Sequence, residues 1–318
     1  MPFIKKSSFT KPPFYQFNGH LQTIIASFRK IEGVSYERER IKTLDSDFVD
    51  LDWIDNNSSK LVVLTHGLEG GSNRPYILGM AKMFSKKGYD VLAWNCRSCS
   101  GELNRHLKMY NHGDTEDIGL VVETAAKRKD YHEIVMVGFS MGGNMTLKYA
   151  SLNRHPSVKK VVAFSAPLDM RTSSLILDKP SNWLYKKNFQ SKMMPKLEQK
   201  AVLFPDKINI QNVKKRKDWL FQLETFFCTI NGYPNLDNFF YNGSALNFIS
   251  KIEIPALIVQ AQNDPISTPE CTPIALAENH KFIYLEAPLN GGHCGFMEAG
   301  DREHSWAERR AVDFIETR

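Results

Sequence analysis

Several stretches of this chain are apolar at nearly every position, and each has the length of one strand rather than of a membrane span. They are residues 61–64 (LVVL), 91–94 (VLAW), 134–137 (IVMV), 161–164 (VVAF) and 257–259 (LIV). A strand with one wet face alternates polar and apolar residues, whereas a strand covered on both faces does not. The runs therefore predict a parallel sheet between two layers of helices. Helical patterns fill the intervals. Pro75 suits a first helical position, Ile77, Met80, Ala81 and Phe84 follow at helical spacing, and Gly88 ends the pattern. Ile118, Val121, Val122 and Ala125 repeat the spacing, and Ala307, Ala311, Phe314 and Ile315 form a last helix. Residues 34–42 and 48–54 alternate instead, as half-buried antiparallel strands do. The expected fold class is α/β, a mostly parallel doubly wound sheet.

The strand–helix alternation stops between residues 169 and 250. That stretch holds Trp183, Trp219, Phe221, Phe226, Phe227, Phe239 and Phe240, and the basic run Lys214-Lys215-Arg216-Lys217. It reads as a helical cap inserted over the sheet edge. The expected organisation is one domain over residues 1–318. Its core covers 34–168 and 251–318, the cap 169–250, and an N-terminal extension 1–33. The basic run reads as a solvated helix face, with contact to a membrane surface as the alternative.

A chain of 318 residues buries a large core without staples. A net charge of +6 permits anionic partners without demanding them, and no nucleic-acid-binding pattern is present, so nucleic acid is not an expected partner. Met1-Pro2-Phe3-Ile4-Lys5-Lys6 leads into no apolar segment, so no secretory signal is expected. The 5 cysteines have no disulfide-framework spacing, which suits a reducing cytoplasm. Cys96 and Cys99 form a lone C-x-x-C and read as buried free thiols rather than a redox or zinc pair, and Cys294 as a packing residue.

The chemistry concentrates in Gly138-Phe139-Ser140-Met141-Gly142-Gly143. This is a G-x-S-x-G elbow, with a buried strand (133–137) running in and a helix (144–151) running out. So sharp a turn requires small residues around the serine, and it lifts the hydroxyl clear of the sheet. Thr65-His66-Gly67-Leu68-Glu69-Gly70-Gly71 directly follows another strand, where a second oxyanion donor is needed. The expected donors are the backbone N–H groups of Leu68 and Met141; His66 is read as structural. A serine needs a base, and with an elbow the chain order is serine, acid, histidine. The downstream candidates are His155, His280, His293 and His304. His293 sits in the glycine-rich loop Asn290-Gly291-Gly292-His293-Cys294-Gly295-Phe296 after a strand pattern and is the expected base. Asp264, in Asn263-Asp264-Pro265 after the 257–259 strand, is the expected acid, with Asp169 as runner-up.

Further segments complete a pattern over nearly the whole chain. They are Asn18-Gly19-His20-Leu21-Gln22-Thr23, Asn95-Cys96-Arg97-Ser98-Cys99-Ser100-Gly101-Glu102 and His112-Gly113-Asp114-Thr115-Glu116-Asp117. With the elbow, the His66 loop and the Asp264 and His293 loops, they resemble the YheT-like branch of the α/β-hydrolases. The resemblance implies an α/β-hydrolase fold with a helical cap, the triad Ser140, Asp264 and His293, and esterase or acylglycerol lipase activity. One departure is Ser98, where that branch usually has glycine. Arg97, Glu102, Asp114 and Asp117 read as charges that knit the loops below the site, with substrate binding by Arg97 as an alternative. The expected function is serine hydrolysis of short- to medium-chain esters or acylglycerols through an acyl-enzyme on Ser140. Thioester or amide hydrolysis, acyl transfer on the same triad, and a non-catalytic binding protein are the alternatives. The expected partner is a small ester, a lipid being one form of it; no metal or organic cofactor is required. Oligomeric state stays open.

Overall fold

The computed structural model describes residues 3–152, 154–216, 218–301 and 303–317. Met1, Pro2 and Lys217, which entered the sequence reading, lie outside them. Nine strands form one sheet: β1 (Phe3–Ile4), β2 (Glu37–Lys42), β3 (Phe48–Ile54), β4 (Lys60–Thr65), β5 (Asp90–Asn95), β6 (Glu133–Phe139), β7 (Val158–Phe164), β8 (Ala256–Val259) and β9 (Ile283–Glu286). The order across the sheet is β1-β9-β8-β7-β6-β4-β5-β3-β2. β3 runs antiparallel to both its neighbours, and the other pairings are parallel. Every uninterrupted apolar run lies within one of the parallel strands, for the reason that predicted them: each is covered on both faces.

Helices α1 (Gly19–Ala26), α2 (Pro75–Lys86), α3 (Glu116–Arg128) and α4 (Met141–Leu152) belong to the first half of the chain. Between β7 and β8 come α5 (Met170–Asp178), α6 (Trp183–Leu203), α7 (Ile210–Lys215), α8 (Trp219–Leu223) and α9 (Leu236–Gly243). Then follow α10 (Ile274–Asn279) and α11 (Trp306–Glu316). One core layer packs α3 and α4 with much of the β7–β8 segment against one face of the sheet; the other packs α2 and α11 against the opposite face. No helix among the described residues is long and apolar enough to cross a membrane.

Two expectations need correction. Residues 34–36 lie outside β2, and β3 is buried on both faces rather than one. The polar positions of β3 do not meet water: Asp50 and Asp52 are buried, each gripped by two nitrogens of Arg40 or Arg38 at 2.7–2.9 Å. Asn95 also donates to Asp52, at 2.8 Å. The alternation thus encodes a satisfied charge network, which a buried carboxylate requires. Second, Cys99 is only half-buried. Within the β7–β8 segment, Trp219, Phe226, Phe227 and Phe239 pack into the main core, Phe227 and Phe239 stacking at 4.8 Å, and none lines the cavity described below. In the basic run, Lys214, Lys215 and Arg216 are exposed, and the Arg216 guanidinium lies 3.9 Å over the Phe221 ring.

Arg97 is a structural charge. It is buried and holds Asp117 and Asp45 at 2.6–3.0 Å. Removing one member of a buried pair strands the other, at a cost of about 3–5 kcal/mol. Arg97→Met is expected to lower stability by that amount in urea denaturation. Ser98, the departure from the YheT-like pattern, adopts φ +59°, the left-handed conformation that favours glycine. Its hydroxyl accepts from the Asn104 N–H at 3.1 Å and donates to the Asn104 side chain at 3.2 Å, which holds the turn without a glycine.

Candidate active site

In a parallel sheet the C-terminal ends of neighbouring strands share one rim, where loops from distant parts of the sequence meet. Here β4 ends at Thr65, β6 at Phe139, β8 at Val259 and β9 at Glu286, and the four predicted loops follow them. At the elbow, Ser140 has φ +52° and its N–H donates to the Phe164 carbonyl at 2.8 Å. The glycines are required by contact. A Cβ on Gly138 would lie 2.3 Å from the Gly142 carbonyl oxygen, and one on Gly142 would lie 2.3 Å from that of Thr65. The strained serine backbone persists because these neighbours over-determine it.

The structure brings Ser140, His293 and Asp264 together. His293 Nε2 is 2.9 Å from Ser140 Oγ, and His293 Nδ1 is 2.8 Å from Asp264 Oδ2. A carboxylate accepts only, so Nδ1 carries the proton and Nε2 faces the serine with its lone pair. Burial disfavours the imidazolium, but the Asp264 charge outweighs it and raises His293 well above its ordinary 6.5. The second oxygen of Asp264 accepts the Ile266 N–H at 3.0 Å, which fixes the carboxylate. The runner-up acid, Asp169, instead caps α5 by accepting the Thr172 N–H at 2.8 Å.

The other histidines fall elsewhere. His66 is fully buried; its Nε2 accepts the Cys96 N–H at 3.0 Å and its Nδ1 lies 2.7 Å from the Gly67 carbonyl. Burial lowers its pKa to about 4, so it stays neutral and ties two loops together. His155 and His280 each accept a nearby backbone N–H, from Ser157 and Phe282, and His304 precedes α11. The N–H groups of Leu68 and Met141 have no hydrogen-bond partner among the described residues, and Met141 opens α4 where the helix dipole is positive.

The sequence reading missed what aims the imidazole. Successive N–H groups of its loop are each held by a side chain from another segment: Gly291 by Gln22 (2.7 Å), Gly292 by Asn263 (3.0 Å), His293 by Thr23 (2.8 Å) and Cys294 by Ser165 (3.0 Å). Gln22 is buried, and its Oε1 also accepts from Asn263 Nδ2 at 2.9 Å. One amide therefore joins the Asp264 loop to the His293 loop. Gln22 and Thr23 belonged to a segment legible only as a resemblance, because a side chain that serves remote backbone leaves no periodic trace. Gln22→Ala is expected to lower kcat about 10–100-fold with little change in KM, since small misplacements of a reacting group carry such losses. Steady-state kinetics on a folded variant check it.

A cavity of about 330 Å³ opens beside Ser140 and His293. Its apolar wall includes Ile24, Phe28, Phe139, Phe189, Ile266 and Met297. The β7–β8 segment contributes Leu184, Tyr185, Asn188, Phe189 and Lys192, all from α6. Of the segment's aromatics, Phe189 and Tyr185 line the cavity, while the larger cluster is core.

A strand–elbow–helix serine faced by a loop histidine, with its acid after an earlier strand, defines the α/β-hydrolase class. The chain belongs to the α/β-hydrolase family, whose model, described as the alpha/beta hydrolase fold, matches residues 60–300. YheT of Escherichia coli (strain K12), whose name proposes esterase activity for it, is 29% identical over 311 residues, 94% of this chain and 91% of YheT. That agrees with the resemblance read from the motifs. Phospholipase ABHD3 of Bos taurus is 27% identical over 295 residues, covering 89% of this chain and 72% of that protein. Among solved structures, the Pyrococcus furiosus esterase Pf2001 superposes with a TM-score of 0.61 at 19% identity, covering 91% of this chain and 96% of that one, a likeness of fold.

Proposed function

We propose that this protein is a serine hydrolase of carboxylic esters with short- to medium-chain acyl groups, acting through an acyl-enzyme on Ser140. The observation that carries the reading is the unbroken line from Ser140 Oγ to His293 to Asp264, at 2.9 and 2.8 Å, opening on a largely apolar cavity. In this mechanism His293 takes the proton of Ser140 as the hydroxyl attacks the ester carbonyl. The N–H groups of Leu68 and Met141 receive the oxyanion, each such donor contributing roughly 3 kcal/mol. His293 then gives its proton to the leaving alcohol, and water repeats the sequence to release the acid. Asp264 holds the imidazole tautomer and stabilises its charged form.

The helical segment between β7 and β8 acts in this reading as a cap, because α6 walls the cavity above the serine. At about 330 Å³ the cavity is near the lower end of ligand pockets, roughly 300–1,000 Å³, which favours a short or medium chain over a long one. The names of YheT and of the phospholipase relative support ester chemistry. The test is turnover of p-nitrophenyl esters of graded chain length beside acyl-CoA and anilide substrates. Hydrolysis that peaks among the short and medium esters supports the proposal; preference for the thioester or anilide, or no turnover of any, counts against it.

A further inference from the structure

The cavity beside Ser140 is unbalanced in charge. Arg29, Arg74 and Lys192 line it, and among the described residues no aspartate or glutamate does. Arg29 is neutralised by Glu308, with which it forms an ion pair. Neither of the other two makes an ion pair among the described residues. The Arg74 guanidinium donates at 2.7 Å to the backbone carbonyl of Glu69, and the Lys192 ammonium makes no ion pair or hydrogen bond among the described residues. The nearby carboxylate is already committed: Glu69 pairs with Lys196 at 2.6 Å and also accepts from the Tyr110 hydroxyl. Arg74 precedes α2 just beyond the Leu68 loop, whereas Lys192 comes from α6 across the cavity. Two cations from separate elements thus line the cavity that holds Ser140, and the carboxylate that acts on Lys192, that of Glu69, is already paired with Lys196.

Such an arrangement is unfavourable when empty. Lys192 is held below the ordinary lysine range by burial and then by the Arg74 charge. A bound anion relieves both, since it supplies the hydrogen-bond acceptors and the opposite charge that a partly buried cation lacks. A guanidinium and an ammonium together suit an anion with several outward oxygens. The apolar wall of Ile24, Phe139, Phe189 and Met297 leaves the polar side of the cavity for a group outside the acyl chain.

We propose that Arg74 and Lys192 form a phosphate subsite, and that the ester this protein takes carries a phosphate group on its alcohol portion. The proposal rests on the esterase reading for its substrate class, but its test does not require turnover. Calorimetric binding is measured on the Ser140→Ala protein, with 1-octanoylglycerol 3-phosphate against 1-octanoylglycerol, both below micelle-forming concentrations. The phosphorylated ester is expected to bind at least about tenfold tighter, an advantage that shrinks as salt rises. Adding Lys192→Gln is expected to cut that advantage about fivefold or more, whereas Lys187→Gln, an exposed lysine on the same helix, leaves it in place. In the unsubstituted protein, glycerol 3-phosphate is expected to compete with the phosphorylated ester and not with the neutral one. Equal affinity for the two esters, or an advantage that survives Lys192→Gln in a folded protein, overturns the subsite. Such a result leaves hydrolysis of neutral p-nitrophenyl esters standing; absent hydrolysis with a clear phosphate preference sinks the esterase reading instead.

Discussion

Ser140→Ala is expected to lower kcat for p-nitrophenyl octanoate by about 10⁵-fold or more, as loss of a serine nucleophile does. That corresponds to about 7 kcal/mol of transition-state stabilisation. The size follows from the geometry: Oγ of Ser140 is the hydroxyl held 2.9 Å from the lone pair of an acid-backed imidazole. The fold should survive. Among the described residues the serine side chain bonds only to His293, while the elbow is fixed by the backbone bond to Phe164 and the close contacts of Gly138 and Gly142. Residual activity over water is expected, because the Leu68 and Met141 donors and the cavity remain. An unchanged thermal transition with lost turnover separates a chemical role from a structural one.

Asp264→Asn is expected to lower kcat about 10⁴-fold and to move the pH profile. The carboxylate does two things at 2.8 Å: it accepts the Nδ1 proton, and its charge stabilises the imidazolium. Burial alone pushes the imidazole down; the Asp264 charge overcomes it and raises the pKa well above 6.5. The base acts only when neutral. In the parent protein kcat/KM should therefore fall, as pH drops, through an apparent pKa above 6.5. Asparagine removes the charge but not the burial, so the same limb should move to lower pH. Profiles of kcat/KM from about pH 5 to 9 read the shift directly. A structural role for Asp264 would lower the amplitude and leave the limb where it was.

What the sequence made legible follows from what packing does to composition. Strands covered on both faces cannot carry unpaired polar groups, so β4 to β8 appear as apolar runs, and their C-terminal ends point to the loops that matter. The elbow was equally legible, because Gly138 and Gly142 answer to contacts within a few residues or to the adjacent strand end. His293 and Asp264 followed from chain order and from lying just past β9 and β8. The illegible parts share one cause. Asp50 and Asp52 break the apolar rule only because arginines from β2 reach over to satisfy them. Gln22 and Thr23 serve a loop at the other end of the chain, and Arg74 and Lys192 meet only after α6 crosses the site. The aromatics of the β7–β8 segment carry no periodic sign of where they face, and three-dimensional packing directs most of them to the core.

The proposed function depends on a hydroxyl made nucleophilic by its neighbours, and an alkyl fluorophosphonate reads that property without knowledge of the substrate. Incubation with the reagent, proteolysis and peptide mass spectrometry should locate one phosphonyl adduct on Ser140. The adduct should be absent from Ser140→Ala and should form far more slowly in His293→Ala. A folded protein whose Ser140 stays unmodified, or is modified as fast without His293, would mean that the three side chains are neighbours without being a catalytic unit.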